Sequence, residues 1–114
     1  MNEEPLLQSR EEALELMDLY ENLLSLQQRN TLNSYYRYDL SLGEIAEESD
    51  ISRAAVHDAL HKGVARLLDI EASLGFLKRQ KELRQKAQDA LGKTDPKQRM
   101  AALENLGKEL LHGI

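Results

Sequence analysis

The chain has 114 residues, no cysteine, 41% hydrophobic and 4% aromatic side chains, and a net charge of −5. That length suits one domain with a modest core and an appended helix. The lack of cysteine excludes a disulfide framework and a thiolate metal site. The start, MNEEPLLQSREE, is acidic and has no basic stretch leading into an apolar core. No apolar run approaches the roughly 20 residues of a membrane span, so a cytoplasmic protein with no membrane partner is expected.

In chain order the residues predict an all-α fold. Glu11 to Leu24 sets Leu14, Met17, Tyr20, Leu23 and Leu24 at amphipathic-helix spacing. Ser25 and Gln28 form a capping-box pair that restarts the helix, which runs to about Tyr38 with Leu32, Tyr35 and Tyr36 as core candidates. The run Tyr35-Tyr36-Arg37-Tyr38 could stack on bases. Aromatics at helical spacing are usually buried, however, so one tyrosine is expected against the first helix while its neighbour points out.

Leu40 to Lys62, LSLGEIAEESDISRAAVHDALHK, reads as a helix-turn-helix. Ser41 caps a short helix and Glu44 completes its capping box. Leu42, Ile45 and Ala46 form the apolar side, and Ala46 is small enough for a second helix to pass close by. Glu48-Ser49-Asp50 breaks the pattern and Ile51 supplies an apolar plug in the turn. Ser52 then caps a helix that turns Val56 and Leu60 inward.

This fourth helix begins at Arg53 and carries one stripe through Val56, Leu60, Val64, Leu67 and Leu74, widened by Leu68, Phe76 and Leu77. Gly63 and Gly75 each weaken it by about 1 kcal/mol relative to alanine, and an end or kink is expected near Gly75. The polar segment LKRQKELRQKAQDALGK comes next as an exposed helix. Gly92 closes it, and Asp95-Pro96 opens a last helix to His112 with Met100, Leu103, Leu106 and Leu110 on one face. The expected organisation is a helix-turn-helix domain over 1–75, with a three- to four-helix core. A basic helical extension and an amphipathic C-terminal helix make up 76–114. Spare apolar surface on the fourth and last helices points to a homodimer.

Charge divides the chain. Residues 1–50 carry 3 basic and 12 acidic side chains, net −9, whereas residues 51–114 carry 12 and 8, net +4. The divide falls in the turn of the motif, so the second helix opens the basic half. Such asymmetry can orient a protein on a polyanion, or both halves can be solvated helix faces.

If the motif docks on DNA, side chains near the start of its second helix meet base edges. These are Ser52, Arg53, Ala54, His57 and Asp58, with His61 and Lys62 one turn on. Arg53 suits guanine, Ala54 a thymine methyl, and Ser52 and Lys62 phosphates. Asp58 is repelled by phosphate unless it accepts from cytosine or pairs with His61 or Lys62. The bland reading makes these ordinary exposed positions on a motif used for protein contact. A second candidate patch is Lys78, Arg79, Lys81, Arg84 and Lys86, at the head of a segment to Arg99 with 8 basic and 3 acidic side chains. It could track a DNA or RNA backbone, or be a solvated helix with ion pairs such as Glu82 to Lys86.

His57 and His61 stand at metal-sharing spacing, but no glutamate of an HExxH pattern lies between them, and no metal or cofactor is expected. There is no recognisable catalytic carboxylate pair and no glycine-rich phosphate loop. Ser25, Ser41 and Ser52 are explained as caps, so no enzyme is expected.

With these residues in view, the chain resembles the YlxM family of small helix-turn-helix proteins, most closely its signal-recognition-particle-associated members. The likeness runs from Leu16-Met17-Asp18-Leu19-Tyr20 through Leu23-Leu24, Gln28 and Tyr35-Tyr36. It continues through Leu40 to Glu48 and Ile51 to Val56 with Asp58, covering about residues 11–80. The run from Ser41 to Asp58 also resembles region 4 of bacterial sigma factors. The resemblance implies a regulatory or accessory role in the signal recognition particle pathway. Two residues depart from the pattern: Asp50 stands where glycine is usual, and His57 where an aromatic is usual. Two functions are therefore expected as alternatives. One is a homodimeric DNA-binding regulator; the other is an accessory protein that binds the particle's protein or RNA.

Overall fold

Serine and aspartate caps set most of the helix starts. In the structure, a computed structural model, residues 9–112 are described. They form α1 (Arg10–Tyr20), α2 (Leu26–Leu32), α3 (Leu42–Ser49), α4 (Arg53–Leu74), α5 (Phe76–Leu91) and α6 (Pro96–Leu111), with no strand among them. Two compact units meet at the Leu74–Gly75 bond.

In the first unit, Ser9 opens α1 by accepting from the Glu12 N–H at 3.1 Å. The α-helix stops at Tyr20 rather than Leu24, because Glu21–Leu23 tighten into a 3₁₀ turn and Leu24 is extended. That tighter rotation turns Leu24 into the core and leaves Leu23 56% exposed. The buried face of α1 is accordingly Ala13, Leu16, Met17 and Tyr20, with Leu14 only half-buried. Ser25 and Gln28 form the expected capping box of α2.

The second helix is also shorter than its periodicity suggests. It gives way at Asn33–Arg37 to a single π turn, closed by the Tyr38 N–H on the Asn33 carbonyl at 3.1 Å. A π turn inserts one extra residue and so rotates the facing of the residues beyond it. Tyr36 therefore enters the core, while Tyr35 lies half-buried against the helix-turn-helix seam rather than pointing out. Arg37, on the same turn, bridges Glu21 at 2.8 Å and Asp18 at 2.9 Å.

The long α4 is the spine of this unit. Leu60, Gly63, Val64, Leu67 and Ile70 are buried where α1 and α2 pack on it. At Gly63 a Cβ would drive into the Leu32 side chain, so glycine permits the close passage of α2. The apolar stripe of α4 is thus taken up by its own core as far as Ile70, whereas Leu74 at its end is 48% exposed.

In the second unit, α5 and α6 form a hairpin. Gly92 closes α5, its N–H reaching the Gln88 carbonyl at 2.9 Å, and Asp95 caps α6 with Pro96 at the first position. Leu106 and Ala102 face the α5 seam, whereas Met100, Leu103 and Leu110 remain exposed, so the expected single apolar face is divided.

Candidate nucleic-acid interface

The motif is built by two caps and one small seam. Ser41 Oγ accepts from the Glu44 N–H at 3.1 Å, and Glu44 Oε1 accepts from the Ser41 N–H at 2.9 Å. These hydrogen bonds hold the Glu44 carboxyl below its ordinary range. Ile45, Ala46 and Val56 are buried together, with Tyr35, Leu40, Leu42 and Ile51 packed around them. The turn is closed by the Ile51 N–H on the Ala46 carbonyl at 3.1 Å. Asp50 supplies the left-handed residue, at φ +56°, that a glycine would adopt without strain.

Ser52 caps α4, its Oγ accepting from the Ala55 N–H at 3.0 Å. Ser52, Arg53, Ala54, Asp58 and Lys62 are exposed. Ala54, Asp58 and Lys62 stand four residues apart on one helix face. Asp58 and Lys62 form an ion pair at 3.1 Å, which answers the repulsion that a lone carboxylate would meet near phosphate. Arg66, another four residues along, is exposed on the same face. Sequence reasoning passed over it, although its spacing from Lys62 was the available signal.

The two histidines are placed differently from the rest. Their rings lie 4.3 Å apart, tilted by 32°, and both are half-buried beside the inward stripe of α4. Nε2 of each ring is shielded from solvent, so neither offers that nitrogen to a base or a metal. Among the described residues no group of three or more metal-ligating side chains gathers.

The second candidate patch also divides. Arg79 and Lys86 face α6, where both pair with Glu109, Lys86 at 2.8 Å. The hydrogen bond from Lys86 outweighs the burial of Glu109, and with Arg79 it keeps the Glu109 carboxyl below its ordinary range. Lys78, Lys81 and Arg84 are exposed on α5. No described helix is long and apolar enough to cross a membrane.

Comparison with known proteins agrees with this geometry. Residues 7–106 match the family model of UPF0122, described as "Putative helix-turn-helix protein, YlxM / p13 like". A UPF0122 protein of Halalkalibacterium halodurans is 40% identical over 95 residues, covering 80% of this chain and 87% of that protein. One of Fusobacterium nucleatum is 38% identical over 78 residues, covering 68% and 76%. One of Bacillus cereus strain Q1 is 46% identical over 67 residues, covering 59% and 61%. With a family match that spans both helices of the motif and most of the chain, the protein belongs to the UPF0122 family of YlxM/p13-like helix-turn-helix proteins.

Proposed function

We propose that the protein is a DNA-binding regulator that lays the first turns of α4 in a major groove. The observation that carries this reading is the exposed face of α4, Ala54, Asp58 and Lys62 with Arg53 and Arg66 beside it, on the second helix of a capped and packed helix-turn-helix. Ala54 is small enough for close approach to a thymine methyl. Asp58 can accept from cytosine while Lys62 holds its charge in balance. Two copies would set their α4 helices about 34 Å apart, on successive grooves. The exposed Met100, Leu103 and Leu110 of α6 are the surface through which we expect the copies to join. Selection from randomised duplexes, followed by binding at several salt concentrations, tests the reading. An enriched motif and an affinity that falls steeply with salt are expected, and salt-independent binding or none would contradict it.

A second reading is favoured by one observation, the exposed Lys78, Lys81 and Arg84 of α5. Here the protein is an accessory factor of the signal recognition particle, contacting its RNA or protein through α5, and the helix-turn-helix serves as a scaffold. Charge reversal at those three positions would then abolish capture of particle RNA from lysate, with Lys62→Ala having little effect. Under the first reading the two variants exchange outcomes on duplex DNA.

A further inference from the structure

We infer that Gly43 positions Arg53 as a clamp on the DNA backbone, and that Arg53 does not read bases; the inference rests on the DNA-binding reading above. Arg53 is the first residue of α4, and side chains in a helix lean toward its N-terminus. Its guanidinium accordingly lies back across the turn onto the first turn of α3. A Cβ built on Gly43 would stand 2.8 Å from one terminal nitrogen of Arg53, 3.2 Å from Nε and 3.4 Å from Cζ. Three guanidinium atoms thus occupy the space that any other residue at 43 would fill. The carboxylate in that turn, Glu44, is bound into the Ser41 cap.

In a docked helix-turn-helix the second helix enters the groove while the first crosses the phosphate backbone. A guanidinium resting on α3 is therefore placed at the groove's rim, against phosphate. Guanine edges lie deeper, along the face of α4 that carries Ala54, Asp58 and Lys62. A planar, always charged fork suits a phosphate oxygen pair. Gly43 contributes by leaving the seat open, so that the side chain is ordered before DNA arrives.

The test measures the full-length protein on two probes, the duplex most enriched from a randomised library and a base-shuffled version of it. Arg53→Ala is expected to weaken both by the same factor, about tenfold, and to make the salt slope shallower by about 0.9. Gly43→Ala is expected to cost about threefold on both probes, and nothing further in the Arg53→Ala background. Its melting temperature should be unchanged or higher, because alanine favours the helix and only the end of a flexible side chain must move. A merely structural role for Gly43 would instead lower the melting temperature and persist without Arg53. Loss of the preference for the enriched duplex in Arg53→Ala would show base reading and overturn the clamp. So would wild-type binding by Gly43→Ala. Failure of the wild type to bind either probe would overturn the DNA-binding reading itself, and is seen before any variant is compared.

Discussion

The two units of the chain are both helical, yet they are held together by different physics. The first buries Leu16, Met17, Leu32, Leu60, Val64 and Leu67 almost completely, on three helices that share one interior. The hairpin of α5 and α6 buries Leu77 and Ala90, and leaves Phe76, Leu91, Met100, Leu110 and Leu111 exposed by about half or more. Its specific ties are polar: Arg79 and Lys86 on Glu109, and Arg99 on the Lys93 carbonyl. A packed core is a source of stability that charge screening leaves untouched, whereas ion pairs near the surface are worth little and are screened. The first unit encloses a continuous apolar interior, whereas the second buries few of its apolar side chains.

Leu60→Ala, in the centre of the first core, should destabilise by about 2–5 kcal/mol in chemical denaturation, whereas Leu106→Ala in the hairpin should cost far less. Equal costs would erase the distinction. Gly63→Ala should destabilise by about 1–3 kcal/mol despite alanine's better helix propensity, because the fully buried Leu32 has nowhere to go. Tyr36→Phe should lie within about 1 kcal/mol of wild type at neutral pH, since the buried hydroxyl has no hydrogen-bond partner among the described residues. Glu109→Gln should leave the melting temperature unchanged at physiological salt, and a clear loss there would show the hairpin to be more than a solvated pair of helices.

Titration separates the same features. Burial, helped by the neighbouring Tyr35, pushes the Tyr36 hydroxyl up to about 12. Its neutral form is therefore favoured in the fold, and this contribution is complete below the unfolded value near 10 and lost as pH rises toward 12. Alkaline unfolding should shift to higher pH in Tyr36→Phe. Glu21 behaves in the opposite sense. Burial would raise its carboxyl, but hydrogen bonds from Arg37 and Asn33 and the charges of Arg37 and Arg29 together depress it. Its contribution is present above the ordinary carboxylate value of about 4.3 and lost as pH falls through the lower folded value.

Much of the fold was legible because its punctuation is local. Ser25, Ser41, Ser52 and Asp95 announce helix starts from side chains that bind backbone within three residues. The features that were not legible depend on residues far apart. The π turn at Asn33–Arg37 coincides with an arginine reaching Asp18 and Glu21, 19 and 16 residues away. Gly63 reads as a weak point of a helix until Leu32 is seen against it. In the candidate site, the helix-turn-helix pattern named Ala54, Asp58 and Lys62 among the side chains expected near base edges. It could not show that His57 and His61 turn Nε2 out of solvent, or that Gly43 leaves room for Arg53, since both depend on packing around the turn.

Nucleic acid is expected to meet α4, and an NMR titration of the isotope-labelled protein with the selected duplex tests this without any variant. Amide shifts should concentrate over residues 52–66 and the first turn of α3, and weaken as salt is raised. Shifts confined to residues 78–99, with α4 silent, would contradict the account and return the protein to the accessory-factor reading.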